Sequence, residues 1–256
     1  GEFNRYRYFI CLAYDGSSYH GWQRQPGSVS VQQVVEEAFA MLLRCKVPLT
    51  GAGRTDTGVH AREFYAHFDL TQPLTRSERE QLVFRLNALL SSSIAVYDIF
   101  PVQTNAHARF SATSRTYQYF INLRKDPFFN HYSWYVYGAI DMDIMNRGAS
   151  LLMDYTDFTS FSKVDTDTHT NECRLMHCSW KEEGGKLVFT ITANRFLRNM
   201  VRAVTGTLVD LGRGRITFNE LIHIVESKNR CNAGESAPAR GLFLTGILYP
   251  DTIKVE

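Results

Sequence analysis

Tyr6-Arg7-Tyr8-Phe9-Ile10-Cys11-Leu12 is echoed by Tyr117-Gln118-Tyr119-Phe120-Ile121-Asn122-Leu123, with identity at five of seven positions. Each stretch reads as a strand. Two amphipathic strands converging on Tyr and Ile would produce the same likeness. A true duplication would make each half an α+β unit with antiparallel strands and helices on one side. Two such units can join their sheets and leave a cleft between them, a favoured place for a ligand. The boundary falls near 101–112, where Pro101, Gln103, Thr104 and Asn105 break the pattern. The expected division is therefore 1–105 and 106–256.

Outward from the first of these strands, Asp15-Gly16-Ser17-Ser18 has turn chemistry. Ser30 with Gln33 three residues on reads as a capping box. It opens a helix whose apolar face is Val31, Val34, Val35, Ala38 and Leu42. A glycine-rich loop at 51–58 precedes a strand in which Phe64, Ala66, Phe68 and Leu70 alternate with Tyr65, His67 and Asp69. Thr75 with Glu78 starts a helix through Leu82, Leu86 and Leu89, and Ile94 to Phe100 is a strand. In the second half, Asp143 is placed as the cap of a helix carrying Ile144, Leu151 and Leu152. Leu187 to Thr192 is a strand. Phe196 to Leu211 is a helix closed by Gly212. Thr217 with Glu220 caps a last helix, and Leu242 to Leu248 is the final strand.

Composition narrows the function. The 256 residues are 44% hydrophobic and 21% charged, as in an ordinary globular protein. No apolar run approaches the ~18 residues of a membrane span. Arg5 and Arg7 are followed by strand-like sequence, not by a secretory signal, and Gly1-Glu2-Phe3 reads as a cloning remnant. Cys11, Cys45, Cys173, Cys178 and Cys231 are odd in number and form no C-x-x-C pair. That argues against a zinc knuckle or disulfide framework and for reduced thiols in a cytoplasmic protein. The eight histidines are scattered, so no metal is expected. A net charge of +2 predicts no nucleic-acid partner by itself. Any RNA surface must come from local clusters of Arg and Lys.

The stretch richest in chemistry is Gly51-Ala52-Gly53-Arg54-Thr55-Asp56-Thr57-Gly58-Val59-His60-Ala61. Its glycines let the backbone turn tightly and approach a ligand. A carboxylate can serve as nucleophile or as acid and base, and an Arg can hold a phosphate or stack on a base. A surface turn in which Asp56 bonds its own backbone fits the residues equally. Asp56-Thr57-Gly58 also spells the D-T-G of aspartic proteases, which need two carboxylates sharing a proton. No second D-T-G occurs, and Arg54-Thr55 replaces the apolar strand expected before it.

Gly53 to Ala61 resembles the active-site motif of the TruA family of tRNA pseudouridine synthases. The resemblance runs along nearly the whole chain. It includes Tyr14-Asp15-Gly16 with Gly21-Trp22-Gln23-Arg24-Gln25, and His107-Ala108-Arg109-Phe110-Ser111-Ala112-Thr113 followed by Tyr117-Gln118-Tyr119. Asp157 to Phe161, Asn194 to Leu197 with Met200-Val201-Arg202, and Ala237-Pro238-Ala239 with Gly241 to Leu244 complete it. The family fold is two α+β halves sharing a continuous, mainly antiparallel sheet, with helices on one side and a basic cleft on the other.

The resemblance implies roles. Asp56 is the essential carboxylate acting on the ribose of the target uridine. Tyr117 stacks on the extruded uracil and is a candidate base at C5. Arg202 pairs with Asp56, Arg54 fills the space left by the flipped base, and Leu242 or Leu244 lines the uracil pocket. Arg24, Arg195 and Arg198 are expected on the RNA. Read without the resemblance, Tyr117 is an ordinary strand aromatic, Leu242 and Leu244 are core, and the Arg195, Arg198 and Arg202 stripe is a solvated helix face. Isomerisation needs no electron sink, so no cofactor is expected. The implied partners are tRNA, at nucleotides 38, 39 and 40 of the anticodon stem-loop, and a second copy of the chain; no membrane partner is expected. The competing reading is a non-catalytic RNA-binding or tRNA-folding protein on the same scaffold.

Two departures stand out. The family's basic residues around its Tyr are here Arg115-Thr116-Tyr117-Gln118-Tyr119, implying fewer phosphate contacts. Its Leu-Pro-x-Asp-Ile turn is here Leu90-Ser91-Ser92-Ser93-Ile94.

Overall fold

A computed structural model describes residues 4–163 and 170–255; Gly1-Glu2-Phe3 lies outside them. The described residues form an α+β fold of five α-helices and nine strands with mainly antiparallel pairing. The strands are β1 (Tyr6–Tyr14), β2 (Thr50–Gly51), β3 (His60–Leu70), β4 (Ile94–Pro101), β5 (Ser114–Asn122), β6 (Trp134–Tyr135), β7 (Leu175–Glu183), β8 (Lys186–Ala193) and β9 (Leu242–Leu248). The helices are α1 (Val31–Leu43), α2 (Arg76–Leu89), α3 (Met142–Leu152), α4 (Met200–Gly212) and α5 (Phe218–Ser227).

The chain divides into two compact units. One runs through Thr113 and resumes at Leu244; the other is Ser114–Phe243. The sequence suggested a break at 105/106 with the final strand in the second half. Instead, residues from Leu244 onward belong to the first unit. The Thr113 amide donates to the Leu248 carbonyl at 2.8 Å, the Ile247 amide donates to the Glu63 carboxylate at 3.4 Å, and the Tyr249 hydroxyl donates to the Ala108 carbonyl.

In the first unit β1 lies between β3 and β4, antiparallel to both. Alternation gives the strands two faces. Tyr8, Ile10, Leu12, Phe64 and Phe68 are buried on one of them. Phe39 of α1 meets Phe68 there at 4.9 Å between ring centroids. The other face carries Phe9, His67 and the Arg7–Asp69 pair. Arg7 donates from Nε and Nη2 to the two Asp69 oxygens at 2.8 and 3.0 Å, the bidentate geometry that makes arginine–carboxylate pairs strong.

In the second unit β5 pairs antiparallel with β8, and β8 with β7. Tyr119 and Ile121, which correspond to Tyr8 and Ile10 in the repeated heptad, are buried as their counterparts are. Strand β7 was not anticipated. A register irregularity between Leu175 and His177 breaks its alternation. Gly184 (φ +56°) and Gly185 (φ +79°) join it to β8. A two-residue loop with both φ positive is the hairpin turn that glycine favours, and Gly184-Gly185 was the available signal.

Local capping accounts for most helix starts. Thr75 and Thr217 form complete capping boxes with Glu78 and Glu220. Ser30 caps α1 by accepting from the Gln33 amide, but the Gln33 side chain donates to Glu37. Asp141, not Asp143, caps α3; its carboxylate accepts from the Ile144 amide and its own amide donates to the Gly212 carbonyl at 2.8 Å. The helix expected from Phe196 starts at Met200, because Asn199 adopts a left-handed φ of +65°. Arg195, Arg198 and Asn199 therefore precede α4, and the expected stripe does not form on one helix. Gly212 is the last helical residue, and Arg213 caps α4.

His67 is buried, and its Nδ1 accepts from the Ala108 amide at 3.0 Å. Burial, reinforced by the charge of Arg7, pushes its imidazole down from 6.5 to about 4. The unfolded chain takes up this proton first as pH falls, so its contribution to stability is lost between pH 6.5 and 4. Urea unfolding at pH 7 and pH 4.5 should show His67→Gln losing about 2 kcal/mol less than the parent over that interval. Equal losses would place the titration elsewhere.

Candidate active site

The Asp56 loop is held from beneath by the loop after β1. The Thr55 hydroxyl lies 2.9 Å from the Tyr14 hydroxyl and accepts from the Trp22 amide at 3.1 Å. The Gly58 amide donates to the Tyr19 carbonyl, and the Gly16 amide donates to Nδ1 of His60 at 2.9 Å. Asp15 Oδ1 approaches the same nitrogen to 3.3 Å. The two segments touch closely enough to require glycine. A Cβ on Gly16 would sit 1.9 Å from the Val59 carbonyl oxygen, and one on Gly21 would sit 2.1 Å from that of Thr55. Trp22, Tyr14 and Phe64 fill the space behind, with Trp22 and Phe64 centroids 4.4 Å apart.

This clamp leaves Asp56 half-buried and Arg54 exposed. The altered serine turn supports it. The Asp15 amide donates to the Ser93 carbonyl at 2.9 Å, and the Tyr19 hydroxyl lies 2.6 Å from that of Ser93. Arg24 is ion-paired with Glu36 at 3.1 Å, and its amide donates to Gln32.

In the second unit Tyr117 stands half-buried on β5, edge-on to Phe196 at 5.1 Å. Thr116 and Gln118, the departures beside it, bond across to Thr192 and Thr190 of β8. Arg202 and Ala237 bond twice: Nε of Arg202 donates to the Ala237 carbonyl at 2.8 Å, and the Ala237 amide donates to the Arg202 carbonyl at 2.9 Å. Asn199 reaches the Ser236 hydroxyl at 2.6 Å. The segment before β9 is thus tied to the first turn of α4. Arg195 donates to the Thr170 and Glu172 carbonyls, while Arg198 is exposed. Leu242 and Leu244 are both buried.

The sequence reading did not single out Thr55 and Tyr14 as partners, because 41 residues separate them. Two surface concavities, of about 640 Å3 at Ala139–Asp143 with Gly212–Gly214 and about 430 Å3 around Gln103, Ser111 and Pro250, include none of Arg54, Asp56, Tyr117 and Arg202. Among the described residues no group of three or more His, Cys, Asp or Glu side chains gathers as metal ligands would. No helix among them is long and apolar enough to cross a membrane.

A clamped Asp loop on an antiparallel α+β scaffold is the architecture expected of a pseudouridine synthase. Comparison with known proteins agrees. The family described as tRNA pseudouridine synthase matches residues 152–250. The tRNA pseudouridine synthase A of Parabacteroides distasonis is 50% identical over 247 residues, 96% of this chain and 97% of its own. Those of Bacteroides fragilis and Colwellia psychrerythraea are 48% and 36% identical, covering 96% and 97% of this chain and 98% and 96% of their own. The chain belongs to the tRNA pseudouridine synthase A family.

Thr55→Val keeps the shape and removes the hydroxyl, leaving the Trp22 amide without its acceptor. An unmet buried polar group costs about 1–3 kcal/mol. Urea unfolding should show that loss for Thr55→Val and less than about 1 kcal/mol for Thr55→Ser. Equal stability of the two variants would remove the clamp from the description of the loop.

Proposed function

We propose that this chain isomerises uridine to pseudouridine in tRNA, acting as a cytoplasmic homodimer on nucleotides 38, 39 and 40 of the anticodon stem-loop. The observation carrying this reading is the 50% identity, along 96% of the chain, with a protein named tRNA pseudouridine synthase A.

The chemistry breaks the bond from C1′ of the ribose to N1 of uracil, turns the base, and forms the bond from C1′ to C5. The proton on C5 leaves to solvent and N1 takes one up, so the reaction is a redox-neutral isomerisation. The base must first leave its stack. Arg54, exposed at the tip of the loop, fills the vacated space. Asp56 acts on the ribose as the essential carboxylate, and Arg202 is the partner the resemblance assigns to it. The Tyr117 ring stacks on the detached uracil, a contact of ~1–3 kcal/mol, and its hydroxyl is the candidate base at C5. Leu242 and Leu244 are the candidates for the wall of the uracil pocket. Arg24, Arg195 and Arg198 are assigned to the RNA; through its carbonyl contacts Arg195 acts as a positioning residue.

Asp56→Asn should abolish pseudouridine formation, read by chemical mapping of tRNA, while tRNA affinity stays within a few-fold of the parent. Turnover by Asp56→Asn at ordinary enzyme concentrations would contradict the assignment. Tyr117→Phe separates the ring from the hydroxyl. If the hydroxyl is the C5 base, this variant binds tRNA, cuts the glycosidic bond and stops before the C5 proton is released. If the ring only stacks, Tyr117→Phe turns over nearly as the parent does, and Tyr117→Ala loses both binding and rate. Parental activity in Tyr117→Ala would make the residue a core aromatic and nothing more.

A further inference from the structure

The segment His107-Ala108-Arg109-Phe110-Ser111 belongs to the first unit and takes no role in the chemistry above. Its backbone is closely determined. Nδ1 of His107 accepts from the amides of both Arg109 and Phe110 at 3.1 Å. The His107 amide donates to the Ser111 hydroxyl at 2.9 Å, and the Ser111 amide returns to the His107 carbonyl. The Ala108 amide is bound to His67, the Ala108 carbonyl to Tyr249, and the Ala106 carbonyl to Arg7. The His107 ring meets that of His67 edge-on at 4.6 Å. Both imidazoles are pushed down by burial, so they remain neutral acceptors near neutral pH.

This rigid loop holds an aromatic ring out into water. Phe110 is 77% exposed. One face rests on the His107 ring at 4.2 Å with an interplanar angle of 26°, and the Arg109 guanidinium stands 5.7 Å from its centroid. Gln103, Thr104 and Asn105, a few residues earlier in the chain, are exposed, as is Arg109. One bare ring is by itself too small for a protein interface, which needs on the order of 1,000 Å2. It matches the face of one nucleobase, and a guanidinium beside it matches the adjoining phosphate.

We infer that His107 and Phe110 form a preassembled stacking platform for an unpaired base of the RNA, with Arg109 on the neighbouring phosphate. The inference rests on tRNA being the substrate. His67, which supports the platform, lies seven residues along β3 from His60 of the Asp56 loop. At ~3.3 Å per residue that is about 23 Å, the rise of about seven stacked base pairs. The platform therefore grips the RNA well away from the reacting uridine and adds affinity without touching it.

The test is the dissociation constant of the full chain for an unmodified tRNA transcript, measured across a salt series. Phe110→Ala should weaken binding about 10-fold and leave the salt slope unchanged. Phe110→Trp should bind as the parent does, and Arg109→Gln should lower the slope by ~1. Because Phe110 is exposed, Phe110→Ala should keep the parent's melting temperature, which separates a binding defect from misfolding. Parental affinity in Phe110→Ala overturns the platform. So does a change of its oligomeric state by light scattering without a change in affinity, which would assign the ring to a protein contact. A parent chain that fails to bind tRNA overturns the functional reading itself, a result distinct from either.

Discussion

The Thr55 hydroxyl bonds the Tyr14 hydroxyl and the Trp22 amide at once, and the shape of the Asp56 loop follows from that pairing. A loop beginning in a glycine-rich segment has many conformations, and fixing each residue costs about 1–2 kcal/mol. Packing it on a second loop, through contacts so close that Gly16 and Gly21 have no room for a side chain, supplies the opposing energy. Buried Trp22 and Phe64 make the base of this assembly apolar and stiff.

The same design recurs in the second unit with different residues. The segment before β9 is strapped to α4 by the reciprocal Arg202–Ala237 bonds and by Asn199 on Ser236. The left-handed Asn199 begins α4 late, which leaves Asn194 to Arg198 as a short irregular stretch carrying Phe196 against Tyr117. Asp56 is carried by irregular backbone, as working residues often are, whereas Tyr117 lies on β5 and Arg202 in the first turn of α4.

What could be read from sequence divides along the range of the interactions. Thr75–Glu78 and Thr217–Glu220 determine helix starts within one turn, and both helices lie where those pairs place them. Strands β1, β3, β4, β5, β8 and β9 were visible from their apolar patterns. Long-range bonds decided the rest. Asp141 and Asp143 are equivalent candidates until Gly212 accepts the Asp141 amide. The start of α4 depends on Asn199, which is bonded 37 residues away. Strand β7 escaped because a bulge puts its apolar residues out of phase. The roles proposed for Asp56, Tyr117 and Arg202 come from the resemblance alone. The Thr55 clamp, formed by residues far apart in the chain, was not legible in the sequence.

Removal of hydrogen from C5 is the event that separates an isomerase from an RNA-binding protein on the same scaffold. It is measured by incubating the purified chain with tRNA carrying 5-tritiated uridine and counting tritium in the water. Catalytic release that plateaus at the number of modified uridines per tRNA is the expected result. Tight binding of the tRNA without release would contradict it.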